Sequence, residues 1–123
     1  MNLNLLQTLN DFRQKAKKKL PKMVFGYIDG GAGDGLAVDR NRESFNRILL
    51  QPRSLKDVSQ RNQSKNLLGK QWQHVFGIAP MGLCNVANPK ADMMLAHSAN
   101  KCNIPLCVST AASTTMEKMY EIA

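Results

Sequence analysis

The chain has 123 residues, of which 43% are hydrophobic and 21% charged. That size and balance suit one small ordered domain and argue against wholesale disorder, and no apolar run approaches the roughly 20 residues a membrane-crossing helix needs. The net charge is +8, and much of it sits in "RQKAKKKLPK", Arg13 to Lys22, with no aromatic side chains between the cations; a nucleic acid is therefore not expected as a partner.

The opening "MNLNLLQTLN" lacks both a basic leader and a small-residue cleavage site, so it does not read as a secretion signal. Leu5, Leu9, Phe12, Ala16 and Leu20 recur at spacings of three and four, which predicts a helix with one apolar face. The lysines then fall on its solvated side; an anionic membrane or acidic protein is the alternative reading of the same charge. Pro21 stops this helix and can open the next. Met23/Tyr27 and Val24/Ile28 are i,i+4 pairs on that second helix, and Gly30 and Gly31 are expected to end it. A third helix begins near Asp34 and includes Phe45, Ile48 and Leu49, before Pro52.

The glycine-rich stretch "FGYIDGGAGDG", Phe25 to Gly35, is not a nucleotide loop. It lacks the Lys and Ser/Thr of a Walker A sequence, and it lacks the last glycine of GxGxxG as well as a preceding strand. A helix-ending turn with positive φ is expected there.

From Gln51 to Gln73 the chain is polar and weakly patterned, with one or two short strands and a hairpin around Gly69-Lys70. "VFGIAP", Val75 to Pro80, and "IPLCVST", Ile104 to Thr110, are short apolar runs, expected as strands buried on both faces. Between them "NPKADMMLAHSANKC" predicts a helix with Asn88 as N-cap, Pro89 in its first turn, and Leu95, Ala99 and Cys102 on one side. "TTME", Thr114 to Glu117, predicts a capping box and a last helix. Residues 75 to 123 thus read strand, helix, strand, helix, the order of a parallel α/β sheet. Ala123 falls within a helix, so the chain is expected to be the first part of a longer α/β protein. Cys84, Cys102 and Cys107 are odd in number and form no CxxC. Neither a disulfide framework nor a metal site is expected, and a cytoplasmic setting fits.

Several blocks in order, "KLPKMVFGYIDGGAGDG", "NRESFNRILLQPRSLKDVS", "IAPMGL" and "IPLCVSTAASTTMEK", resemble the N-terminal part of the FMN-dependent α-hydroxy acid dehydrogenases and oxidases. Glycolate oxidase, L-lactate dehydrogenase and mandelate dehydrogenase are members, and "STAAS" is most similar to the mandelate and lactate enzymes. The resemblance implies a (β/α)8 TIM barrel, which takes about 250 residues when complete. It divides the chain into an N-terminal helical segment with pre-barrel strands, 1–74, and the first two βα units, 75–123. It implies FMN as cofactor, a small 2-hydroxy acid as substrate, homo-oligomeric intact relatives and possible peripheral contact with a membrane.

By the same resemblance Tyr27 binds the substrate carboxylate. Ala79, Pro80, Met81 and Gly82 lie against the flavin ring, Ser109 hydrogen-bonds the flavin, and Ala111 lines the substrate side-chain pocket. Read without it, Tyr27 is an ordinary helix-face aromatic, Pro80 a strand end and Ser109 a turn residue. The family's catalytic histidine, arginine and lysine match nothing in the chain. His74 and His97 are expected as surface or packing residues, so no catalytic residue is assigned and the fragment is expected to be inactive alone. Ala91 and the pair Cys102-Asn103 stand where the family usually carries glycine, which predicts strain in those turns. A stand-alone basic module using Lys15 to Lys22 is the non-enzymatic alternative, and a fragment completed by a separately encoded remainder of the barrel is a third.

Overall fold

A computed structural model describes residues 5–122. Two compact units divide the chain between Leu55 and Lys56.

The first unit holds three helices, α1 (Leu9–Lys19), α2 (Lys22–Asp29) and α3 (Leu36–Asn46). A capping box starts α1: the Asp11 amide donates to Thr8 Oγ1 at 3.2 Å, and the Thr8 amide donates to Asp11 Oδ2 at 2.8 Å. These bonds hold the Asp11 carboxyl below its usual range, its backbone bond from Thr8 first. Lys17, Lys18 and Lys19 occupy the last turn, where cations oppose the negative end of the helix dipole. Leu20 is the C-cap, and Pro21 leads directly into α2. Arg13 of α1 clamps Asp29 of α2 in a fork, Nε to Oδ1 at 2.5 Å and Nη2 to Oδ2 at 2.8 Å. Arg13 is thus a strut between two helices rather than part of the free basic face, which leaves Lys15, Lys17, Lys18, Lys19 and Lys22 exposed.

The glycine turn differs from expectation in its backbone. Gly30 ends α2 in an extended conformation, and the positive φ values come later, 57° at Gly33 and 79° at Gly35, the N-cap of α3. Gly30 and Gly31 are needed for space instead. A Cβ on Gly30 would lie 2.7 Å from the Gly26 carbonyl oxygen, and one on Gly31 would strike the Val38 side chain. α3 closes before Ile48 and Leu49, which the apolar spacing had included.

The second unit begins with a hairpin, β1 (Lys65–Leu67) and β2 (Lys70–Trp72), in the register Lys65↔Trp72 and Leu67↔Lys70. Leu68 and Gly69 both have positive φ, 53° and 78°, the signature of a tight two-residue hairpin turn. Lys70 Nζ sits 4.4 Å above the Trp72 ring.

The two apolar runs pair in parallel, as the βαβ order predicts, but through one bridge, Ile78↔Leu106. Ile78 donates to the Pro105 carbonyl at 2.8 Å and accepts from Cys107 N at 2.9 Å. Proline explains why no longer ladder forms. Extending it backwards, the Phe76 carbonyl would need an N–H from Pro105; extending it forwards, residue 80 would need its own N–H, and it is proline. Burial on both faces is also corrected: Val75 is 64% exposed and Phe76 60%, because helices cover only part of this two-segment layer among the described residues.

α4 (Cys84–Ala87) is a single turn not foreseen in the sequence, and α5 (Ala91–Cys102) and α6 (Met116–Tyr120) follow. The expected N-cap of α5 is corrected from Asn88 to Lys90, which has φ 66°; Asn88 instead caps the end of α4, and Pro89 lies outside α5. The cap of α6 is Thr115 rather than Thr114, accepting from Lys118 N at 3.5 Å. Lys90 and Asn103, at the two ends of α5, carry left-handed backbone with φ 66° and 46°, whereas Ala91 lies inside the helix. The buried apolar set is Ala96, Ala99, Ile104 and Met119, where α5 and α6 meet the second strand segment. Cys102, expected on the same side of α5 as Leu95 and Ala99, is exposed, whereas Ala99 is buried. No helix among the described residues is long and apolar enough to cross a membrane.

Candidate functional site

The Ile78↔Leu106 bridge runs two segments side by side in one direction, so the residues that follow each bridge partner emerge at the same end. Gly77 permits the approach: a Cβ there would lie 2.5 Å from the Pro105 carbonyl oxygen. Beyond the bridge, Ala79, Pro80, Met81 and Gly82 leave the first segment and Ser109, Thr110 and Ala111 leave the second.

The two exits are stitched together. Leu83 N donates to the Ala111 carbonyl at 2.9 Å. A Cβ on Gly82 would stand 3.1 Å from Ala111 Cβ and 3.7 Å from Ser109 Oγ, so Gly82 lies directly against both. Ser109 folds its own turn: its Oγ accepts from Ala111 N at 3.1 Å, and its carbonyl accepts from Ala112 N at 3.1 Å. The Ser109 hydroxyl proton is left for another acceptor. Ala79, Pro80, Met81 and Ala111 are exposed, with Gly82 and Ser109 half-buried. The result is an open shelf of backbone with small side chains, at the end of parallel strands where barrel enzymes place their chemistry.

A polar layer lies below this shelf. Asp92, in the first turn of α5, is 3% exposed. Its Oδ2 accepts from Ser113 N at 2.8 Å, and its backbone N–H donates to Asn85 Oδ1 at 3.3 Å. Asn85 Nδ2 in turn donates to Thr114 Oγ1 at 3.5 Å. The half-buried Cys84 thiol is pushed up by burial first and then by the neighbouring Asp92 carboxylate, so it stays protonated and is a poor nucleophile.

The structure therefore brings together six of the residues singled out in the sequence: Ala79, Pro80, Met81, Gly82, Ser109 and Ala111. Tyr27 lies on α2 in the first unit, 63% exposed. His74 stacks on Phe76 with ring centroids 5.4 Å apart and sits 3.2 Å from Gln63 Oε1, while His97 is exposed on α5. Among the described residues no three His, Cys, Asp or Glu side chains gather to hold a metal. Sequence reading missed Asp92 and Asn85. Their only signal was an acidic residue shortly after "NP", which does not tell a buried tie from an exposed helix-start charge.

A family model described as FMN-dependent dehydrogenase matches residues 16–123. The chain is 39% identical to (S)-mandelate dehydrogenase of Pseudomonas putida over 119 residues, covering 97% of this chain and 30% of that protein. It is 33% identical to glycolate oxidase 3 of Oryza sativa subsp. indica over 121 residues, covering 98% and 33%. A solved soluble mutant of the membrane-associated (S)-mandelate dehydrogenase from Pseudomonas putida superposes with a TM-score of 0.85 at 39% identity, over 94% of this chain and 33% of that one. The chain thus spans about a third of the length of the curated relatives it matches.

Proposed function

The chain belongs to the family of FMN-dependent dehydrogenases, and from that premise we propose that it contributes to the oxidation of a small L-2-hydroxy acid, lactate- or mandelate-like, to the 2-keto acid. Its fold is α/β, a truncated (β/α)8 barrel in a chain that spans about a third of its relatives' length. Residues 1–74 serve as the helical segment with pre-barrel strands, and 75–123 as the first two βα units.

The observation that carries this reading is the shelf formed where Ala79–Gly82 meets Ser109–Ala111. It fits a flat flavin ring. Of its first four residues only Met81 has a long side chain, Gly82 has none, and the Ser109 hydroxyl keeps a proton to donate. FMN, when bound, supplies the acceptor for the two electrons that leave the hydroxy acid. The backbone of Ala79, Pro80, Met81 and Gly82 supports the ring and Ser109 donates to it. Tyr27 donates its phenol proton to the substrate carboxylate, which orients the reacting carbon. Ala111 is small and leaves room for a substrate side chain larger than glycolate's. None of these 123 residues is assigned as the base that takes the substrate's proton.

The partners are the 2-hydroxy acid and, through the exposed lysines of α1, the anionic surface of a membrane from the cytoplasmic side, with homo-oligomer formation belonging to the intact protein. The mandelate dehydrogenase relative is membrane-associated, and clustered lysines near such a surface contribute about 1 kcal/mol each.

The test is a chimera in which residues 1–123 replace the matching part of a mandelate dehydrogenase. Loaded with FMN and kept anaerobic, it should lose its flavin absorbance on adding (S)-mandelate or L-lactate, and more slowly with glycolate. A chimera that folds and holds FMN but is bleached by no 2-hydroxy acid would sink the proposal. The 123 residues alone should give no turnover and no tight FMN binding.

A further inference from the structure

We infer that Asp92 is a positioning residue that locks the two loops of the shelf to each other from beneath. The inference rests on the reading of that shelf as a flavin wall, but its geometry is independent of it. The shelf itself has few means of holding its shape. One backbone bond, Leu83 N to Ala111 O, crosses between the loops above the Ile78↔Leu106 bridge. The strand ladder cannot lengthen to help, because Pro80 and Pro105 remove the donors on either side.

Asp92 supplies what the ladder lacks. It belongs to neither loop, yet it bonds to both: its carboxylate takes the Ser113 amide, four residues after Ser109, and its amide is held by Asn85, three residues after Gly82. Asn85 closes the circuit on Thr114. The carboxylate is almost wholly out of solvent, so water cannot readily replace it as acceptor for Ser113. Its position in the first turn of the 12-residue helix α5 anchors this circuit on the buried surface of Ala96 and Ala99. A small residue at 92 would release the Ser113 amide and with it the Ser109 turn, and would loosen the Gly82 loop only through the Leu83–Ala111 bond, because the backbone N–H of residue 92 keeps its bond to Asn85.

The experiment compares Asp92→Ala, Asp92→Asn and, as control, Ser98→Ala, whose hydroxyl bonds only to the Met94 carbonyl on an exposed part of α5. In the FMN-loaded chimera, amide exchange should quicken about 10-fold at Ser113, and in the same direction at Leu83, whose acceptor Ala111 sits in the released turn, in Asp92→Ala, the loss of one well-buried hydrogen bond. The Ile104 amide, bonded to Ala99 O, should stay within about 2-fold as the local stability reference. Asp92→Asn keeps an acceptor and should recover most of the protection. Unchanged exchange at Ser113 and Leu83 in Asp92→Ala, or equal quickening at Ile104 in both variants, overturns the inference. In the FMN-loaded chimera, Asp92→Ala should also raise the FMN dissociation constant about 5-fold or more, read by flavin fluorescence. Loosened loops with unchanged FMN affinity would leave Asp92 as the loop lock and overturn the flavin wall above it.

Discussion

At the scale of single residues, the side chains that matter are small or modest in number of contacts. Gly82 lies against Ala111 and Ser109 because it has no side chain, Ala111 adds only a methyl group, and Ser109 accepts the Ala111 amide within its own turn. Tyr27 is the exception, a large exposed phenol on α2. Its proposed bond to a substrate carboxylate is charge-assisted, so Tyr27→Phe in the FMN-loaded chimera should weaken substrate binding by about 1–2 kcal/mol. Steady-state kinetics check this through KM and kcat; values equal to the parent in both would remove Tyr27 from the site. These residues were picked out through the family resemblance of their motif blocks, and the structure brings Ala79–Gly82, Ser109 and Ala111 together. Asp92 was not legible. An aspartate at a helix start is commonplace on a surface, and nothing in the local sequence says that this one is buried under two loops.

At the scale of elements, the contacts between segments decide stability. Gly77 lets the first strand segment meet Pro105, and a methyl there would press on backbone rather than on a movable side chain. Gly77→Ala should therefore cost about 1–3 kcal/mol, measured by urea unfolding of the chimera, and a variant as stable as the parent would refute the close approach. Between α1 and α2 the Arg13–Asp29 fork holds the Asp29 carboxyl below its usual range, its hydrogen bond from Arg13 being the largest cause. The sign follows from that direction. The folded state prefers the ionised form, so the contribution is full above the ordinary carboxylate value and fades as pH falls through the lowered one. Helix content followed by circular dichroism should drop at acid pH, and Arg13→Ala should move that loss to higher pH; superimposable curves would show that the fork contributes nothing. Helix positions were readable from apolar spacing and from Pro21. Their ends were less so, because caps such as Lys90 and Thr115 depend on backbone angles that several neighbouring residues could equally adopt.

At the scale of the molecule, the buried apolar set of four side chains among the described residues is small for so many residues, while Leu55, Leu68 and Leu50 are more than 90% exposed. A domain of ordinary stability removes far more apolar surface from water. Expressed alone, the chain should therefore unfold over a broad temperature range and bind an apolar dye such as ANS. In the chimera with the rest of a relative's barrel, both signs should disappear. A sharp cooperative transition and no dye binding by the chain alone would contradict this reading.

The sequence by itself determined the α/β order, the hairpin at Gly69 and the family resemblance. These follow from local steric demands, apolar periodicity and short motifs, all of which act over a few residues. Only the tertiary structure decided that the parallel pairing narrows to one bridge, because the register set by Ile78↔Leu106 puts Pro105 where the Phe76 carbonyl needs a donor and Pro80 where the Cys107 carbonyl needs one. It alone decided that Arg13 is a strut rather than a free cation, and that Asp92 ties two loops it does not belong to. Those facts depend on residues 16 to 29 positions apart being brought within hydrogen-bond reach, and no local pattern encodes that meeting.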